Sequence, residues 1–263
     1  MNYLAAGGGG EEGFHAPGIA EFWQPLVGNG AFALTRSMVV FAAVAIILTV
    51  VLLRVTKKLE LVPSKGQFLV ESGYSLVRNG LARDIIGADK FKPFLPLMFA
   101  LFTVVLINNL MGIMPFINFP TFSRIGYAIV LTAIVYFTYH GVGIARLGLF
   151  GWLKSFCPPG LPAWVVPIVW IIEFLTYVVN RPLTMALRLF GNMFAGHLMI
   201  MVFVFGGEYL LFSTEGFLPV TGVLAYVFSL AIFLFEVIVQ CLQAYVFVLL
   251  ACVYIAGAVA DEH

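Results

Sequence analysis

Two apolar tracts in the second half of the chain constrain its fold more than any other feature. They occupy residues 164–205 and 217–260, about 42 residues each, or roughly 63 Å of helix at 1.5 Å per residue. About 20 residues suffice to cross about 30 Å of hydrocarbon. Each tract is therefore either a hidden hairpin or one steeply inclined helix. No Pro-Gly, Asn-Gly or charged turn punctuates the middle of residues 217–260, which favours the inclined helix. Composition agrees: the chain is 62% hydrophobic and 10% charged, against roughly 45–50% apolar and about 25% charged in soluble domains. A soluble fold cannot hide that much apolar side chain. The expected fold class is an all-α integral membrane protein.

Shorter crossings are expected at residues 31–53, 93–115 and 125–145, giving five in all with the two long tracts. Residues 64–92 are not a crossing. There Val70, Tyr74, Val77, Leu81 and Ile85 recur at helical spacing beside Glu71, Arg78 and Asp84. That pattern predicts an amphipathic helix, lying on the inner membrane surface or packed on protein. Orientation follows from Lys and Arg in short loops. Arg54, Lys57, Lys58, Lys65, Arg78, Arg83, Lys90 and Lys92, then Arg146 and Lys154, mark one side as the inside. Glu11, Glu12, Glu21, Glu208 and Glu215 lie opposite, with Arg124. The N-terminal segment, residues 1–30, is thus expected outside and the end Asp261-Glu262-His263 inside. The first residues have no basic stretch ahead of an apolar core, so no cleaved signal peptide is expected, and Gly7 to Gly10 read as a tail.

The net charge of +1 leaves no electrostatic footprint for nucleic acid. Cys157, Cys241 and Cys252 follow no metal-ligand spacing and read as buried, inert thiols. No GxxxxGK[ST] loop is present, so this chain is not expected to hydrolyse nucleotide, and no cofactor or metal is implied.

Ionisable groups at mid-bilayer depth are costly and mark function, and they fall only in the last two tracts. The first holds Glu173, Asn180, Arg181, Arg188, Asn192 and His197; the second holds Glu236, Gln240 and Gln243. On an α-helix, Glu173, Tyr177, Asn180, Thr184, Arg188 and Asn192 fall within about 120° of one another, while His197 points about opposite to Arg188. Glu236, Gln240 and Gln243 share one face. A His beside a carboxylate can pass protons near neutral pH. A guanidinium cannot, because it never gives up its proton. A fixed Arg188 near a His197/Glu236 pair therefore suits a device that makes a partner's acid ionise. Plainer readings stay open: Arg181 as a packing residue beside Pro182, Glu173 as its ion-pair partner, and His140 as interfacial. Asn108 and Asn109 could be interhelical glue, and Arg188 could pair with Glu236 within the chain.

The run Arg188-Leu-Phe-Gly-Asn-Met-Phe-Ala-Gly-His197, followed by Gln243-Ala-Tyr-Val-Phe-Val-Leu-Leu, resembles subunit a of the bacterial F-type ATP synthases. The likeness is tightest over residues 181–198 and 236–256. It is looser but colinear from about residue 61 through Asn109-Leu-Met-Gly-Ile-Met-Pro115, and the first sixty residues match in layout alone. The resemblance implies a proton-translocating stator in a bacterial plasma membrane. Its implied partners are a ring of c subunits, the peripheral-stalk subunit b and the rest of the synthase. Arg188 would face the ring between two offset half-channels, with Asn192, His197, Glu236 and Gln243 at the outer one and Glu173 near the inner one. Two departures stand out. Some relatives carry the His and the acid of the 197/236 pair in exchanged places, and some have an acid where this chain has Gly112. The competing reading is a proton-coupled secondary transporter, which would show inverted repeats and paired broken helices; neither is visible here. A membrane protease finds no HExxH, paired Asp or Ser/Lys motif.

Overall fold

The computed structural model describes residues 25–27, 34–57, 60–114, 120–157, 162 and 164–260. The expectations for the outer N-terminal segment, its glycine run and the acidic end 261–263 lie outside the described residues. Among the described residues the fold is helical, apart from a short antiparallel ladder between β1 (Pro25–Val27) and β2 (Leu34–Thr35). Among the described residues, five helices are long and apolar enough to cross a membrane.

The first, α1 (Arg36–Lys57), begins five residues later than the sequence pattern suggested, directly after β2. Its apolar window is only 6% buried; Ile46, Ile47 and Leu53 are exposed and suit contact with lipid tails. Beyond it, Ser64 caps α2 (Lys65–Ser75), its hydroxyl accepting from the Gln67 N–H. The chain then widens into a π-helical stretch, Leu76–Ile86, which packs on the second and last of the long helices. This changes the predicted face. Val77 and Leu81 are buried as expected, but Ala82 and Ile86 join them in place of Ile85, and Tyr74 stays exposed. An i→i+5 turn lags an α-turn by one residue, so the inward stripe slips by one position. Protein packing thus claims this stretch, while Phe68 and Leu69 of α2 remain exposed.

The next crossing is α3 (Leu95–Ile113). α4 (Ile125–Lys154) runs nine residues past its expected end and is interrupted by Gly148, whose φ of +71° suits glycine. The break turns the last segment back, and the Trp152 indole lies against Gly143, where a Cβ would collide with the ring.

Both long tracts are single helices. The first comprises α5 (Val166–Leu175), one π-helical turn (Thr176–Asn180) and α6 (Arg181–Phe212), 47 residues without a gap. The second is α7 (Leu218–Val259), 42 residues. Helices of roughly 63–70 Å must lie strongly tilted to keep their apolar length within about 30 Å of hydrocarbon. They form an antiparallel hairpin, and their mutual interface is the most extensive in the molecule.

At the closed end of that hairpin the two backbones nearly touch. A Cβ on Gly222 would lie 2.9 Å from the Gly207 carbonyl oxygen and 3.0 Å from the Leu211 nitrogen. Backbone atoms of a packed helix cannot step aside, so Gly222→Val is expected to destabilise the hairpin by about 1–3 kcal/mol. A lower yield of assembled complex on native gels checks this; wild-type yield would refute it.

α3, α4, α6 and α7 enclose the core, in which Met98, Val105, Leu189, Met193, Val248 and Ile255 are fully buried. Of the three cysteines only Cys252 is buried. Cys157 is partly covered and Cys241 is exposed, so the expectation of three buried thiols is corrected. Position 241 sits between two inward positions, Gln240 and Gln243, and so turns outward.

Candidate functional site

The polar residues of the long hairpin divide by face as 3.6-residue periodicity requires. Arg188 projects from α6 into the surroundings of the isolated chain. Among the described residues its side chain has no hydrogen bond, ion pair or ring partner. The alternative of a structural Arg188–Glu236 pair is therefore not realised. Nine residues on, about 13 Å along the axis, His197 points inward and is 5% exposed.

His197 is held by two backbone carbonyls. Nδ1 lies 2.9 Å from the Met193 oxygen, one turn back on α6, and Nε2 lies 2.9 Å from the Gly112 oxygen of α3. Both partners are acceptors. A neutral imidazole has one N–H and serves one of them, whereas imidazolium serves both. Position 112, where an acid was missed in the sequence, contributes its backbone instead, and a Cβ there would stand 2.6 Å from the Met193 methyl group and 3.5 Å from the imidazole.

Glu236 comes to the same place from α7. It is 4% exposed, accepts a hydrogen bond from Gln240 Nε2 one turn on, and interacts electrostatically with His197. Its carboxyl group fills the space left by the missing side chain of Gly196, the residue next to His197. Around this pair lies a group of buried polar residues. Asn109 donates to the Gln240 carbonyl at 3.1 Å, which makes it the interhelical tie anticipated. Asn108 instead donates within α3, to Val104 at 2.8 Å. Asn192 Nδ2 donates to Gln243 Oε1 at 2.6 Å. Asn108 Oδ1, Asn109 Oδ1, Thr121 Oγ1, Gln240 Oε1 and Gln243 Nε2 are buried without a protein partner. Each such atom left dry costs about 1–3 kcal/mol, and a cluster of them is an environment that calls for water.

A second cluster lies on the N-terminal side of Arg188. The Arg181 guanidinium sits 3.4 Å from the Tyr177 ring centroid and 5.0 Å from that of Tyr254, so it is a packing cation. Glu173 is half-buried and forms no ion pair with Arg181. His140 is not merely interfacial: its Nδ1 accepts from Trp152 Nε1 at 2.9 Å, amid Tyr136 and Tyr139. The structure thus ties Asn192 to Gln243, brings the Glu236 carboxyl group against Gly196, the neighbour of His197, and leaves Arg188 and Glu173 apart from both.

The match to known proteins covers nearly the whole chain. The family model described as ATP synthase A chain matches residues 37–256. An ATP synthase subunit a from a Nocardioides species is 41% identical over 96% of this chain and 95% of its own length. The subunit a of Pseudarthrobacter chlorophenolicus is 41% identical over 95% of each chain. That of Streptomyces lividans is 36% identical over 95% of this chain and 90% of its own. The chain belongs to the ATP synthase subunit a family. It is a membrane-embedded, proton-channel stator subunit of the ATP synthase complex, and the transporter and protease alternatives fall away. The backbone acceptors for His197 and the role of Gly196 escaped sequence reasoning. A carbonyl has no signature in sequence, although Gly196 beside an inward His was a signal that something must approach there.

Proposed function

We propose that this subunit a works with a ring of c subunits as a proton-driven rotary stator, with the peripheral-stalk subunit b as a further partner. The N-terminus lies outside the cell and the C-terminus inside, as the Lys/Arg bias of the loops requires. Two half-channels, offset in depth, meet the ring at α6 and α7. In the outer one a proton passes through the water-demanding cluster at Asn108, Asn109, Thr121, Gln240 and Gln243 to the His197/Glu236 relay, with Asn192 holding Gln243. From there it neutralises a ring carboxylate, which can then face lipid where its charged form would be costly. In the inner one, near Glu173, the acid loses its proton as Arg188 favours the ionised state. Each proton delivers about 2.3 kcal/mol per 100 mV, plus the pH term.

The observation that carries this reading is the unpaired, outward Arg188 at mid-helix. An insertion cost of about 2.5–3.5 kcal/mol for a bare arginine at bilayer depth demands a counter-charge, and the described residues supply none there. A carboxylate on a neighbouring ring would. The test is a complex purified with its ring: the Arg188 guanidinium must lie against the ring carboxylates. A map placing α6 away from the ring would end the proposal.

The relay has its own test. If the His and the acid act as one couple, exchanging them (His197→Glu with Glu236→His) should retain more ATP-driven proton pumping than His197→Ala or Glu236→Ala alone. Equal loss in all three, measured by fluorescence quenching in inverted vesicles, argues against a relay.

A further inference from the structure

The π-helical turn Thr176–Asn180 lies between Glu173 and Arg188, and its hydrogen bonding has a defect built in. The Arg181 N–H donates to the Thr176 carbonyl, five residues back. Continuing that pattern, the Tyr177 carbonyl would need residue 182 as its donor. Residue 182 is proline, which has no N–H. The Tyr177 oxygen is paired from elsewhere: the Tyr139 hydroxyl of α4 donates to it at 2.7 Å. Tyr139 is 1% exposed and is fixed by edge contacts with the Tyr136 and Tyr254 rings, at 5.6 and 5.8 Å. The Tyr177 ring, in turn, stacks on Phe156 and beneath Arg181.

The turn matters because it sets direction. Fifteen α-helical steps from Glu173 to Arg188 would rotate the acid about 60° from the arginine; absorbing one residue in a π-turn moves it to about 40° on the other side. A π-turn beside a proline holds only if its stranded carbonyl is satisfied. We infer that Tyr139 is a positioning residue for proton translocation: its hydroxyl pairs the carbonyl stranded by the π-turn and Pro182, and so fixes the direction of Glu173 relative to Arg188. This rests on the placement of Glu173 at the inner half-channel.

The experiment uses the whole complex in inverted vesicles. Tyr139→Phe keeps the ring and its aromatic contacts and removes only the donor. ATP-driven proton pumping should fall about fivefold or more, the lower bound for leaving a buried carbonyl unpaired. Adding Pro182→Ala supplies a backbone N–H where the Tyr177 oxygen needs one, and the double variant should recover most of the lost rate. A general packing defect at Tyr139 would not be cured by a donor placed on another helix. Should Tyr139→Phe fail to assemble, recovery of assembly by Pro182→Ala supports the inference equally. Wild-type pumping by Tyr139→Phe, or a double variant no better than the single one, overturns it. Glu173→Gln, measured alongside, probes the inner half-channel separately: normal pumping there removes Glu173 from that channel, whatever the Tyr139 and Pro182 variants do.

Discussion

Arg188→Lys should assemble normally and pump no protons. The side chain has no partner of its own among the described residues, so its replacement leaves no unpaired group and no cavity behind. Function is another matter. Guanidinium stays charged in any protein environment, whereas an ammonium in a low-dielectric site sheds its proton. A lysine facing the ring carboxylate could take the neutral form as the acid holds its proton, and nothing would then oblige that acid to ionise. The expected loss of ATP-driven pumping is at least about 100-fold, or ~2.7 kcal/mol on the barrier. The amount of ring co-purifying should be unchanged. Pumping at the wild-type rate would show that a permanent charge is not required, and the proposed mechanism would fail.

Gly196→Ala should give the second-largest effect, by a different route. A Cβ at this position overlaps the Glu236 carboxyl group. What it meets is the free end of a flexible side chain, so the helices need not separate; the carboxyl group swings away. In doing so it leaves Gln240 and the neighbourhood of His197. The complex should assemble and hydrolyse ATP, while pumping falls about tenfold, less than the ~10²–10⁴-fold that a positioned proton-transfer group contributes, because the acid is displaced rather than removed. Glu236→Asp on the Gly196→Ala background shortens the acid by one methylene and should restore part of the rate. Unchanged pumping by Gly196→Ala would mean that the location of this carboxyl group is unimportant.

The sequence revealed what depends on period and length. Helix spans came within about five residues, except at the C-terminal ends of α4 and α6, which run nine and seven residues further, because runs of apolar side chain are long and unambiguous. The unbroken state of the two long helices followed from missing turn residues in the second tract. The opposition of Arg188 and His197 is a matter of nine residues at 100°. Departures from the α-period were not legible. The π-helical stretch at Leu76–Ile86 exchanges Ile85 for Ile86, and nothing in its side chains announces that. The turn at Thr176–Asn180 carries ordinary residues, and only the tertiary pairing of Tyr139 with Tyr177 explains how it is tolerated. The doubling back after Gly148 hid the Trp152–His140 hydrogen bond, since glycine in a membrane helix is common. The partners of the charged side chains were not legible: Arg181 found aromatic faces rather than Glu173, and His197 found carbonyl groups.

The C-terminal end of α7 bears on how such a stator withstands load. The Lys90 ammonium donates to the Val259 carbonyl at 3.1 Å. The Arg146 guanidinium donates to the carbonyls of Ala258 and Ala260 at 3.4 and 3.5 Å. Cations there also suit the negative pole of the helix dipole. Two independent segments thus moor the last turn of the helix that carries Glu236. Under the proposed rotary action, drag from a moving ring pulls α7 along the membrane plane, and these moorings hand that force to α4 and to the segment preceding α3. The helix then behaves as a beam clamped at both ends, by close backbone packing at Gly207 and Gly222 and by basic side chains at the opposite extremity, so the relay keeps its alignment as torque passes.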